Sequence, residues 1–274
     1  MQSTLDPADL KFSKERLGDG GQGTVWKGMW KGKAVAIKKC LQPNPTDVRI
    51  LQQLDCHPNI ITLHGFVVDM ESMSCSIVME LVKGGSMFDF LHKQKKILTD
   101  DQKSSWMKGI AEGMLFLHSQ GLAHRDLKSG NVLLAGDDLE IAKLCDFGTA
   151  RKLDHTTAQT TVTGTYRWIS PEVIQEPDAL INQKCDVFSY SMVLCEIVTR
   201  ALPFKESKTD QLAMIALVNG KRPTLPSSDI ECPPYLRNLI TACWAENPRD
   251  RPSFQEINCI LKDKQQPRRN DVPN

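Results

Sequence analysis

The run DVFSYSMVLCEIVTR, Asp186–Arg200, is apolar on most sides when wound as a helix, and such a helix is stable only when other elements enclose it. It therefore reads as the buried centre of a helical body. Thr99 followed by Gln102 has capping-box spacing, and Trp106, Ile110, Met114 and Leu117 then run down one face, predicting a helix from about Asp100 to Ser119. QLAMIALVNG, PYLRNLITACW and SFQEINCILKD predict three more, the last opened by a capping box from Ser253 and Glu256.

The first third has a different pattern. GTVWKGMW and KAVAIKKC, Gly23–Trp30 and Lys33–Cys40, predict two antiparallel strands joined at Lys31 and Gly32, and ITLHGFVV and SCSIVMEL predict two more. Between them PTDVRILQQL has Val48, Leu51 and Leu54 at helical spacing, with Thr46 placed to cap. Gly84 and Gly85 mark the change of character. At 274 residues the chain exceeds the usual size of one core. The expectation is an α+β molecule with a small β-rich lobe at 10–82, a larger helical lobe at 83–262, a flank at 1–9 and a tail at 263–274 of disordered composition.

Charge and cysteine content narrow the function by exclusion. A hydrophobic content of 41% and a net charge of +1 are those of an ordinary soluble protein and give no reason to expect nucleic acid or a membrane surface as partner. Nine scattered cysteines without a CxxC pair fit neither a disulfide framework nor a zinc site, and suit a reducing compartment. No apolar run approaches membrane-spanning length, and MQSTLDPADLKF lacks the basic start and apolar stretch of a secretory signal. The expected location is cytoplasmic.

Four stretches carry chemistry. LGDGGQGTV has Gly18, Gly20 and Gly23 at GxGxxG spacing, but Gly23 runs into a second strand, with Val35 to Lys38 on a third, where a dinucleotide fingerprint needs a helix. A glycine flap over nucleotide phosphates fits better. In AVAIKKC, alternation puts Lys38 on the same face as the small Ala36, leaving room for a flat base and its phosphates. In HRDLKSGN, Asp126 can accept a hydroxyl proton, Lys128 can neutralise charge on a moving phosphoryl group, and Asn131 offers a hard oxygen to a metal. A hairpin through VLLAGDDLEIAKL would return Asp146 of CDFGTAR beside Asn131, so that both can hold Mg²⁺ between phosphates.

The ordered set GDGGQG, VAIK, HRDLKSGN, DFG, SPE, DVFSYS and RPSF resembles a eukaryotic protein kinase catalytic domain from about Leu10 to Lys262. That resemblance implies a bilobal kinase fold, ATP and Mg²⁺ as cofactors, and a protein substrate. It implies Asp126 as catalytic base, Lys128 assisting transfer, Lys38 on the α and β phosphates, and Asn131 and Asp146 on the metal. The nucleotide site it implies is formed by Gly18, Gly20, Gly23, Val25, Ala36, Lys38, Met79, Glu80, Ser86 and Leu133, with Met79 as gatekeeper. Glu172 should pair with Arg251, and Asp186 should anchor the HRDLKSGN loop. Lys128, together with Thr165 of GTYRWISPE, resembles the Ser/Thr type. CDFGTAR and KCDVFSYSMVLCEI are similar to the tyrosine-kinase-like group, nearest the TGF-β-activated kinase branch at the MAP-kinase-kinase-kinase level, which makes a MAP kinase kinase a candidate substrate.

The pattern also departs from the family. Asp47 stands where the family has a glutamate that holds the strand lysine, and Pro43 and Pro45 shorten the helix that carries it. Three outcomes are open for the Asp47–Lys38 pair: it is made directly, it is made only with an activating partner protein bound, or it is never made. A nucleotide-binding pseudokinase acting as scaffold is the alternative to an active kinase, and a small-molecule phosphotransferase is a more distant one. Ser170 and Ser191 replace an alanine and a glycine of the family. The loop LDHTTAQTTVTGT offers Thr156, Thr157, Thr160, Thr161 and Thr163 for phosphorylation, with Arg125 and Arg151 as receiving cations and Thr165 in the substrate segment. Cys145, next to Asp146, is expected to border the nucleotide pocket.

Overall fold

A computed structural model describes residues 4–20, 23–41, 54, 57–69, 74–94, 96–147, 151–152, 166–175 and 182–263. The chain is a bilobal α+β fold. Its first lobe holds a five-stranded antiparallel sheet in the order β1-β2-β3-β5-β4, formed by β1 Leu10–Gly20, β2 Gly23–Trp30, β3 Lys33–Leu41, β4 Leu63–Asp69 and β5 Ser74–Glu80. Lys31 and Gly32 join β2 to β3 with φ of 47° and 77°, the positive pair that a two-residue hairpin needs. The sequence reading makes Gly23 the start of a second strand but assigns no bounds to the first, β1. Residues 11–17 are all exposed, so this edge strand shows no apolar alternation for a sequence reading to detect.

The sheet has two buried faces, which explains why Val35 and Ile37 alternate with residues that are themselves covered. Val35, Ile37, Val67 and Val78 pack with Leu5 into a small core on one side. Cys75 and Ile77 on the other side join the large core of the second lobe. Lys38 and Ala36 lie on that second face, 8% and 9% exposed.

In the second lobe α1 spans Asp100–Ser119 and opens with the expected capping box of Thr99 and Gln102. The central helix α3, Gln183–Thr199, is buried continuously from Cys185 to Ile197. It begins earlier than the sequence reading had it because Asn182 caps it by accepting from Lys184 N–H. It ends before Arg200, whose φ of 51° breaks the helix. The Arg200 guanidinium donates to the carbonyls of Phe90 and Gln94, which braces a wide turn, Asp89–Lys93, that the sequence pattern did not signal. Around α3 stand α2 Pro171–Gln175, α4 Asp210–Val218, α5 Pro234–Cys243 and α6 Phe254–Asp263. Two short antiparallel pairs, β6–β9 (Leu122–Ala123 with Arg151–Lys152) and β7–β8 (Val132–Ala135 with Ile141–Leu144), complete the described strands, with β6 and β8 against α1. Leu144 N–H donates to Asn59 O and Ile61 N–H to Leu144 O, tying the two lobes together. No helix of the described residues is long and apolar enough to cross a membrane.

Candidate active site

Strand register assembles the upper wall. Val25 is paired with Lys38, and Ala36 with Met79, and paired residues of antiparallel strands project to the same side. Four of the residues implied by resemblance therefore share one face. Gly20 and Gly23 are paired where β1 meets β2. Gly23 has a φ of +137°, and a Cβ there would sit 2.2 Å from the Lys39 carbonyl oxygen. Its glycine is required by the strand crossing itself. A Cβ at Gly18 would meet nothing within 4 Å, so no packing demand accounts for that glycine.

Lys38 is carried from this wall across to the second lobe. Its Nζ lies 2.6 Å from Asp146 Oδ1. Burial pulls the lysine pKa down, but the Asp146 charge and hydrogen bond outweigh it and leave the ammonium above the ordinary lysine range. Asp146 adopts a φ of +62° and Arg125 one of +69°; both are sparsely populated conformations for residues with a side chain and need support from the surroundings.

That support is visible for the HRDLKSGN loop. Asp186, fully buried on α3, accepts from the N–H of His124 through Oδ2 and of Arg125 through Oδ1, each at 2.8 Å, while His118 Nε2 lies 2.8 Å from Oδ2. Burial would raise the Asp186 carboxyl, but the His118 ring and the Arg125 N–H outweigh that and hold it below the ordinary carboxylate value. Held in this way, the loop turns Asp126 toward Lys128, whose Nζ is 2.8 and 3.1 Å from the two carboxylate oxygens. Asn131 Nδ2 donates to the Asp126 side chain at 2.8 Å and to its carbonyl at 2.7 Å. The amide is thereby oriented with its oxygen turned away from Asp126. Cys145 N–H donates to Asn131 O at 3.0 Å, so the β7–β8 hairpin does set the residue before Asp146 against Asn131. A carboxylate and an oriented amide oxygen are hard donors of the kind that Mg²⁺ takes alongside substrate phosphates.

The opposite rim is built from backbone. Gly84 packs so closely on β7 that a Cβ would lie 2.2 Å from Leu134 O, and Gly85 has a φ of +73°. Gly85 O accepts from Leu134 N–H at 2.9 Å, and Ser86 bridges to Leu133. The Glu80 side chain turns to Lys143 Nζ at 2.7 Å and Thr62 N–H at 2.8 Å. Burial would raise this carboxyl; those two partners hold it below its usual value. The Glu80 side chain is thus turned away from a ligand, and its backbone N–H donates to Thr62 O at 2.9 Å. Cys145 is half-buried, and burial next to the Asp146 charge pushes its thiol up to about 12.

On the far side of the loop Arg251 forks onto Glu172 at 2.6 and 2.8 Å, the pairing that resemblance implied. The backbone of Arg151 pairs with Ala123, two positions before Arg125; the Arg151 side chain lies outside the described residues. Asp47, Thr156, Thr157, Thr160, Thr161, Thr163 and Thr165 also lie outside them. Sequence reasoning missed Glu196, which is fully buried and touches Ser129 of the loop at 2.6 Å. A glutamate in an otherwise apolar helix was the signal that could have found it.

Comparison with known proteins agrees with this architecture. A family model described as the protein kinase domain matches residues 12–260. Mitogen-activated protein kinase kinase kinase 12 of Rattus norvegicus is 36% identical over 242 residues, covering 88% of this chain and 26% of that protein. Mitogen-activated protein kinase kinase kinase 7 of Drosophila melanogaster is 36% identical over 266 residues, covering 92% of this chain and 38% of that protein. A probable serine/threonine-protein kinase of Dictyostelium discoideum is 34% identical over 277 residues, covering 94% of this chain and 20% of that protein. The chain thus spans well under half the length of these relatives. In its motifs, its bilobal fold and its match over nearly the whole length, the chain belongs to the protein kinase domain family, with serine/threonine kinases of the MAP kinase kinase kinase type among its relatives.

Proposed function

We propose that the chain is an ATP-dependent serine/threonine protein kinase acting at the MAP-kinase-kinase-kinase level, with a MAP kinase kinase as its protein substrate. The observation that carries the reading is the joining of two sequence-distant groups in one site: Lys38 with Asp146 at 2.6 Å, and Asp126 with Lys128 and Asn131 within 2.8 Å of its carboxylate. In this reading Val25, Ala36, Met79 and Leu133 enclose the base, and the backbone at Glu80 and Ser86 lines its edge. Gly18, Gly20 and Gly23 shape the strand turn above the phosphates.

Asp126 accepts the proton of the substrate hydroxyl, and its two hydrogen-bonded neighbours hold it facing the nucleophile. Lys128 places a positive charge beside the same carboxylate, where negative charge builds on the transferring group. Lys38 orients the α and β phosphates. Asn131 and Asp146 hold Mg²⁺, which when bound neutralises charge on the phosphates. Arg125 and Arg151 receive a phosphate added to the loop threonines, and Asp47, with an activating partner protein, is a regulatory position.

Incubation with γ-labelled ATP and a generic protein substrate, followed by phosphoamino-acid analysis, tests this. Label on serine and threonine that is abolished by chelating Mg²⁺ is the expected result. Label confined to tyrosine would overturn the Ser/Thr assignment. Nucleotide binding with no transfer under any activating condition would favour the scaffold.

A further inference from the structure

Ten residues beyond Asp186 the central helix carries the second buried carboxylate, Glu196, with no exposed area. A carboxylate in such surroundings is costly unless its oxygens are engaged. Here Oε1 accepts from Ser129 Oγ at 2.6 Å and lies 2.8 Å from His92 Nε2, while Oε2 accepts from Trp168 Nε1 at 2.6 Å. These partners come from three separate stretches of chain. His92 belongs to the wide turn Asp89–Lys93, which begins at the site's rim. Ser129 stands between Lys128 and Asn131. Trp168 belongs to the segment that leads into SPE.

The geometry makes these contacts more than space-filling. Asp186 holds the loop at His124 and Arg125; Glu196, about 15 Å further along the helix axis, holds it again at Ser129. The reacting residues Asp126, Lys128 and Asn131 are thus strung between or next to two anchors on one rigid helix. Ser189, seven positions before Glu196 and so on the same helical face, donates to the Trp168 carbonyl at 2.7 Å. Trp168 is fixed by backbone and side chain to the helix that fixes the loop.

We infer that Glu196 is a positioning residue that couples the seating of the Trp168 segment to the placement of Lys128 and Asn131. On the kinase reading, on which the meaning of the two ends rests, this sets the protein-substrate side and the phosphoryl-transfer side together. Aligning one end tightens the other through a single carboxylate.

Three variants test it: Ser129→Ala removes only the loop's contact, Trp168→Phe removes the indole N–H together with part of the buried ring system, and Glu196→Gln keeps the shape while replacing an acceptor with a donor. Amide hydrogen exchange is read at residues 124–131 and 166–170. Coupling is expected to make Ser129→Ala speed exchange in 166–170, which it does not touch, and Trp168→Phe speed exchange in 124–131. If each variant loosens only its own segment, the coupling is wrong. Because those two variants leave Glu196 in place, they decide the matter even if Glu196→Gln fails to fold. In steady-state assays Ser129→Ala is expected to raise KM for the protein substrate, whose segment it does not touch, as well as KM for ATP, which Asn131 serves. The effects of Ser129→Ala and Trp168→Phe on kcat/KM are expected to depart from multiplicative by about threefold or more. Multiplicative effects would contradict the coupling. Wild-type protein that transfers no phosphate would instead sink the kinase reading, while the exchange experiment would still decide the role of Glu196.

Discussion

Lys38 and Asp146 lie 2.6 Å apart although they are separated by more than a hundred positions in the chain, so neither charge is independent of the other. The lysine's raised pKa fixes the sign of its pH dependence: its contribution is fully present below the unfolded lysine value near 10.4 and is lost only as pH rises through the higher folded value. ATP affinity should therefore be flat between pH 6 and 9 as far as Lys38 is concerned. Asp146→Asn and Asn131→Ala are each expected to weaken Mg²⁺-dependent ATP binding by about tenfold or more, the loss of roughly 1.4 kcal/mol or more of metal coordination. Calorimetric titration with and without Mg²⁺ checks this, and wild-type affinity in Asn131→Ala would remove that residue from the metal site. Cys145, with its thiol pushed up to about 12, is almost entirely protonated at neutral pH. An ATP-site ligand bearing a mild electrophile should label it slowly, about tenfold faster for each pH unit up to pH 10, because only the thiolate reacts. A rate independent of pH would mean that the thiol is already ionised.

At the scale of elements, periodic segments were legible and long-range partners were not. The helix Asp100–Ser119 and its capping box could be read directly because both signals are local. The bounds of strand β1 could not, since its residues 11–17 face solvent, nor could the turn Asp89–Lys93, which is braced by Arg200 from far along the chain. Likewise the motifs named Asp126, Asn131 and Asp146, but nothing in their spacing identified Glu196 as the contact of Ser129 or Lys143 as the partner of Glu80. Ser170 illustrates a departure whose cost only the fold reveals. Its hydroxyl is buried and finds no hydrogen-bond partner among the described residues. Restoring the family's alanine by Ser170→Ala is expected to be neutral or to stabilise by up to about 1–2 kcal/mol, the desolvation cost of an unsatisfied hydroxyl. Thermal melting decides it; a clear drop in Tm would mean that the hydroxyl is bonded.

For the whole molecule, two buried carboxylate clusters on the central helix and the Glu172–Arg251 fork hold the helical lobe around the reacting loop. Arg251 is 1% exposed and donates to both Glu172 oxygens, so Arg251→Ala should destabilise by about 3–5 kcal/mol by stranding its partner. Arg251→Lys keeps the charge but loses the fork, and should recover only part of that. The depressed carboxyl of Asp186 contributes stability above its unfolded value near 3.9 and loses it as pH falls through the lower folded value, so acid should loosen the loop below about pH 4. The central claim is that this frame presents Asp126 as the proton acceptor for phosphoryl transfer. Its most direct test is transfer from labelled ATP by wild type and by Asp126→Asn, with Mg²⁺-ATP binding measured on the same preparations. Equal binding with transfer reduced by about a hundredfold or more is expected, in line with the loss of a general base. Equal transfer by the two proteins would contradict it.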